Sequence, residues 1–223
     1  MAREPRTVAR NPMNREPARR RPHRAAGLTA VLSMALLLSL LAPAARAATE
    51  VDVTALARDD AVEVAARALV RAPVELVWQT LTDYDHLARF VPGIAESRVV
   101  SQQGRESIIE QRGGARFFFF SYPIRVTLRS NEHPFESIEV HLVQGNLRRL
   151  DGGYHLRAAA DGNTELTWNG LVEPAQPLPA FVRVALLKRN IADQFAGMVR
   201  EIERRASAAA APVAASGPGP VSR

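Results

Sequence analysis

The residues of this sequence that could carry chemistry are few and far apart. His86, His133, His141 and His155 fall in the stretch that reads as folded, and none has a second ligand or a nucleophile at a spacing that would pair with it. There is no cysteine, which excludes a disulfide scaffold, a thiolate metal site and a cysteine nucleophile. The sequence also lacks a G-x-S-x-G elbow, a Walker loop and an H-E-x-x-H helix. The polar groups left in apolar surroundings are the phenols of Tyr122 and Tyr154, the Thr164 hydroxyl and the Trp168 indole. Such groups can hold or steer a substrate by hydrogen bonding. Acid–base or nucleophilic catalysis needs a titratable side chain or an activated nucleophile within reach. The residues around these four supply neither, so no catalytic residue, metal or cofactor is expected.

These groups share a setting in runs of alternating polarity, where side chains two apart lie on one face of a strand. Residues 116–129 read as one long strand. One register carries Phe118, Phe120, Tyr122, Ile124, Val126 and Leu128; the other carries Phe117, Phe119, Ser121, Arg125 and Arg129. Ile138, Val140 and Leu142 oppose Glu139 and His141, while Leu150, Tyr154 and Leu156 oppose Asp151, His155 and Arg157. On a last strand Leu166, Trp168 and Val172 oppose Glu165, Thr167 and Asn169. One sheet face is therefore apolar, with no Asp, Glu, His, Lys or Arg over these four strands, and the other faces water.

Punctuation between the runs sets the element order. Asp59-Asp60 joins two short strands into an N-terminal hairpin. Pro73 suits the first turn of a helix carrying Val74, Val77, Trp78 and Leu81, and residues 83–90 form a second short helix stopped by Pro92-Gly93. Strands over 96–101, 107–111, 116–129, 137–143, 147–158 and 164–172 follow, parted by Gln103-Gly104, Gly113-Gly114, residues 131–134, Gly145-Asn146 and Asp161-Gly162. After Pro177 and Pro179 the apolar positions Phe181, Val184, Leu187, Ile191, Phe195, Met198 and Ile202 step by three or four, one stripe of a long helix. The class is α+β, with the long helix available to pack across a curved antiparallel sheet.

The ends of the chain read differently. Arginines at 15, 19, 20, 21 and 24 precede an uncharged apolar run from Leu28 to Leu41, then Pro43 and the small-residue site Ala45-Arg46-Ala47. This is the pattern of a secretory signal peptide over residues 1–47. Cleavage near Ala47 would place the protein in the periplasm or outside the cell; an uncleaved leader would anchor it instead. Met13 is a second candidate start that keeps all of these arginines. Beyond residue 47 the chain holds 20 basic and 21 acidic residues, so the pI of about 10.8 belongs to the leader. No basic excess remains to neutralise phosphates, which excludes nucleic acid as a partner. Residues 206–223, rich in Ala, Pro, Gly and Ser, read as a disordered tail. That leaves 48–61 as an N-terminal strand and turn and 62–205 as the main domain.

Residues 72–93, running Ala-Pro-Val-Glu-Leu-Val-Trp-Gln-Thr-Leu-Thr-Asp-Tyr-Asp-His-Leu-Ala-Arg-Phe-Val-Pro-Gly, resemble the opening of the polyketide cyclase/dehydrase branch of the START-like superfamily, which includes coenzyme Q-binding START proteins. Residues 145–154 and 164–168 are similar to the same branch. The resemblance implies a helix-grip fold: a curved antiparallel sheet wrapped around a long C-terminal helix, with two short helices near the cavity. Together with the apolar face it points to a binder or carrier of a hydrophobic small molecule, a lipid, quinone or polyketide-like compound. The expected lining is Trp78, Phe90, Phe118, Phe120, Tyr122, Val126, Val140, Tyr154, Trp168, Leu187, Ile191 and Phe195. Transient membrane contact is a further option, and nothing in the sequence signals an oligomeric state. Two other readings stand beside this one. A cyclase-like enzyme would use the cavity's polar groups on a reactive chain, and an interaction module would present Phe117 and Phe119 to a partner.

Overall fold

The computed structural model describes residues 49–117 and 120–211, and only the backbone of Phe117 and Phe120. Residues 1–48, which include the stretch expected to be a leader, Phe118, Phe119 and residues 212–223, the larger part of the stretch expected to be a disordered tail, lie outside the described residues. Strands β1 (Val51–Arg58) and β2 (Ala61–Val70) lead into helix α1 (Val74–Leu81) and a 3-10 segment (Tyr84–Arg89). Six strands follow: β3 (Ile94–Gln103), β4 (Glu106–Phe117), β5 (Phe120–His133), β6 (Ser137–Gly145), β7 (Leu147–Ala158) and β8 (Thr164–Pro174). Helix α2 (Ala180–Ala210) ends the described chain. All strands belong to one antiparallel sheet in the order β1-β2-β8-β7-β6-β5-β4-β3.

The alternation expected from the sequence sets which face is buried. Tyr122, Val126 and Leu128 of β5, Ile138 of β6, Leu156 of β7 and Leu166, Trp168 and Val172 of β8 are all buried. Helix α2 covers them with Leu187, Phe195, Met198 and Ile202. Each such side chain contributes roughly 1.5–3 kcal/mol of transfer free energy, an upper bound because the unfolded chain is already partly compact. The β7–β8 turn follows the Asp-Gly signal, with Asp161 at φ 61° and Gly162 at φ 72°. Such left-handed turn residues match the twist of a tight hairpin.

Several boundaries differ from the sequence reading. The single long strand over 116–129 is two strands: β4 runs on to Phe117, and Phe117 pairs with Phe120 at the start of β5. Gly113-Gly114, read as a turn, lies inside β4 opposite Ile124 and Pro123, and glycine is needed at 113 because a Cβ there would overlap the carbonyl of Gly93. Strand β5 continues to His133, through the expected break. Phe181 is 75% exposed. The first turn of α2 instead buries Val182 and Arg183, whose Nη2 donates to the Asp59 carbonyl at 2.5 Å and ties the helix to the β1–β2 turn. The helix also continues through Ala206–Ala210, part of the stretch expected to be disordered; its alanines are strong helix formers.

Candidate functional site

Between the sheet and α2 lies a void of about 140 Å3. Strands β6, β7 and β8 supply its floor through Val140, Tyr154 and Trp168. Ile191, Phe195 and Met198 of α2 form the roof, and Tyr84, Leu87 and Val91 close one side. Tyr154 and Trp168 are cross-strand partners with ring centroids 4.8 Å apart. The indole has room because Gly152 and Gly170, themselves paired, carry no side chain: a Cβ on Gly170 would come within 2.8 Å of the ring.

The wall is apolar, and its polar groups fall into two kinds. The Trp168 Nε1 is buried with no hydrogen-bond partner among the described residues. The Tyr154 hydroxyl also has none there, and burial alone pushes its pKa up to about 12. At neutral pH roughly one molecule in 10^5 would carry that phenolate, so Tyr154 can donate a hydrogen bond but is a poor proton shuttle. Tyr84 is engaged: its hydroxyl lies 2.9 Å from Ser130 Oγ and donates to Glu132 Oε1 at 3.0 Å. Ser107 Oγ donates to the same carboxylate oxygen at 3.1 Å. Burial first, and then the Glu132 charge, raise the Tyr84 phenol far above its ordinary value. Gln111 and Gln194 complete the polar set.

A clamp holds the 3-10 segment against α2. Arg205 Nη2 donates to Asp83 Oδ2 at 2.8 Å, its Nε donates to Glu201 Oε1 at 2.8 Å, and its guanidinium lies 5.2 Å from the centre of the Phe90 ring. His86 Nδ1 lies 2.6 Å from Asp83 Oδ1. Burial works against the Asp83 charge, but Arg205 and His86 together hold its pKa below the usual carboxylate range.

Residues 70–199 match the model of a family described as polyketide cyclase / dehydrase and lipid transport, a match spanning more than half of the chain. The chain belongs to this family. Solved structures share the fold. The Zhui aromatase/cyclase from a Streptomyces species is 17% identical with a TM-score of 0.59, covering 68% of this chain and 99% of its own. The STAR-related lipid transfer protein fragment from Xanthomonas axonopodis is 14% identical at 0.55, covering 72% and 96%. A START superfamily protein from Mycobacterium smegmatis is 16% identical at 0.53, covering 66% and 98%. At these identities the likeness is one of fold. No curated protein sequence matches the chain.

Within this polyketide cyclase/dehydrase and lipid transport fold, the structure brings Val140, Tyr154, Trp168, Ile191 and Phe195 together around the void. Of the other expected residues, those whose side chains are described lie elsewhere. Trp78 is buried edge-on against Phe135, with ring centroids 5.9 Å apart. Phe90 sits under Arg205. Tyr122 donates to the Asn146 carbonyl at 2.6 Å and accepts from the Ala175 amide at 3.2 Å, which fastens β5 to the β6–β7 and β8–α2 connections. Val126 and Leu187 pack in a second apolar cluster with Tyr122 and Val62. Parity places a residue on a face; the position along the strand decides whether it reaches the void. Phe118 and the Phe120 side chain lie outside the described residues. Sequence reasoning missed Tyr84, Gln111, Gln194 and the Glu132 that accepts the Tyr84 hydrogen bond. Ending the strand at Arg129 hid the last, although the inward register continues Leu128, Ser130, Glu132.

Proposed function

We propose that the protein is an exported carrier of a hydrophobic small molecule, held between the sheet and α2. The observation that carries this reading is the apolar void of about 140 Å3 with the Tyr154 hydroxyl unpartnered in its wall. A dry void of about 150 Å3 suffices for a benzene-sized guest. A quinone, lipid or polyketide chain would need the 3-10 segment to move aside, as lids commonly do. The free phenol selects ligands that present an acceptor oxygen, such as a carbonyl. A cyclase would need the same hydroxyl to polarise a ketone, but Tyr84 is already committed to Glu132 and Tyr154 is a weak acid, which favours binding over proton transfer.

The test is native mass spectrometry of protein from cells expressing the full chain, with organic extraction, and a titration with the uncharged dye Nile red. A co-released apolar compound, or saturable dye binding weakened at least tenfold by Ile191→Trp with the melting temperature retained, supports a carrier. The order of magnitude follows from filling a pocket whose occupant is held mainly by apolar contact. No extractable compound and no saturable binding would sink the reading.

A further inference from the structure

An open groove of about 820 Å3 lies beside the void, and Ile94 lines both. Arg112, Arg116, Arg125 and Arg189 face this groove against two carboxylates, Glu96 and Asp193. Arg112 and Arg125 stand directly opposite each other on β4 and β5, an arrangement in which like charges repel. Glu96 takes up Arg112 at 3.4 Å and Asp193 takes up Arg189 at 3.6 Å. Among the described residues neither Arg116 nor Arg125 has a carboxylate at ion-pair distance. The groove therefore keeps two uncompensated positive charges.

A second observation does not depend on charge. Asn190 lines the groove, is only 9% exposed, and its side-chain amide has no hydrogen-bond partner among the described residues. The residue is nine-tenths buried while its amide stays open to the groove, so a ligand there can take up its unused hydrogen bonds. One turn further along α2, Gln194 lines the void, so neighbouring polar side chains serve the two spaces. Gly93, at φ 84°, stands beside both amides and has no side chain to crowd them: a Cβ there would lie 3.2 Å from Asn190 Nδ2 and 3.6 Å from Gln194 Nε2.

We propose that this groove holds the oxyanion head, a carboxylate or a phosphate, of an amphiphile whose apolar body occupies the void; this rests on the carrier reading. Guanidinium forks suit either oxyanion, and the Asn190 amide adds a neutral donor. The ligand thus spans an apolar interior and a basic mouth.

The experiment compares octanoate, octyl phosphate, octanol and inorganic phosphate by calorimetric titration of protein from cells expressing the full chain. One or both octyl anions bind about tenfold more tightly than octanol, with the advantage shrinking as salt rises. A preference for octanoate identifies a carboxylate head, and one for octyl phosphate a phosphate head. In Arg116→Gln/Arg125→Gln the advantage falls to near unity while octanol binding is unchanged, which also shows that the variant folds. Asn190→Asp, close in shape but negative, lowers affinity for the anions alone. Equal binding of octanol and both anions overturns the head-group site and leaves the carrier reading intact. Inorganic phosphate binding as tightly as octyl phosphate overturns the amphiphile and makes the groove a separate anion site. Failure of every octyl compound to saturate overturns both readings.

Discussion

Two tyrosines on the apolar face show how much a partner matters. Tyr122 makes two hydrogen bonds, to Asn146 and from Ala175, whereas Tyr154 makes none among the described residues. Tyr122→Phe is expected to destabilise the protein by about 1–2 kcal/mol, since it strands both backbone partners. Tyr154→Phe is expected to cost less stability than Tyr122→Phe, because its hydroxyl gives up no hydrogen bond among the described residues, while weakening ligands that carry an acceptor oxygen. Urea unfolding of both variants beside a ligand titration checks this. A loss of stability in Tyr154→Phe matching that of Tyr122→Phe would mean that the Tyr154 hydroxyl has a partner. Both tyrosines were legible in the sequence as inward residues, because strand parity reports the face. Their different roles were not, because hydrogen-bond partners come from other strands and loops. Glu132 was hidden for a related reason: Pro134 signals a break, but a proline after a strand does not shorten it.

At the scale of elements, the Arg205 clamp decides how readily the 3-10 segment leaves α2. Glu201 is held to a pKa of about 2, first by its hydrogen bond with Arg204, opposed by burial, and then by Arg205; Asp83 is lowered as well. Lowered carboxylates stabilise the folded state above their ordinary pKa near 4–4.5 and lose that contribution as pH falls toward the folded value. The clamp is therefore intact at pH 5–7 and weakens progressively between about pH 4.5 and 2. Amide hydrogen exchange over residues 84–90 should accelerate across that acid range, and Arg205→Ala should reproduce the acceleration at neutral pH. The expected loss is about 1 kcal/mol after screening at this part-exposed site. Unchanged exchange in the variant would assign the closure to apolar packing of Leu87 and Val91 instead. Element order and the long helix were readable from periodicity and turn residues. The β4–β5 connection was not, because four consecutive phenylalanines carry no turn signal, and Gly113-Gly114 imitates one while serving close backbone approach.

For the whole molecule, charge and topology lead to separate expectations. A leader over residues 1–47 would leave the remainder near neutrality, with 20 basic and 21 acidic residues. N-terminal sequencing of the periplasmic fraction is expected to find a start near Ala48, and intact chain found only in membranes would instead favour an anchor. Among the described residues, no helix is long and apolar enough to cross a membrane. Start-site use is a separate question: loss of Met1 should spare expression if Met13 initiates. The sheet order adds a constraint on timing. Strand β2 pairs along its length with β8, Val62 with Val172 and Val70 with Thr164, so the seam that joins the first hairpin to the rest of the sheet cannot close until the last strand has left the ribosome. Until then β2 has only β1 beside it, and an isolated hairpin is marginal in water. Contacts between such distant residues also make closure slow, on the order of milliseconds to seconds for sheet-rich domains. In a nascent chain built this way the first hairpin waits unjoined through most of synthesis, while β3 to β7, neighbours in sequence as in space, can pair as they emerge.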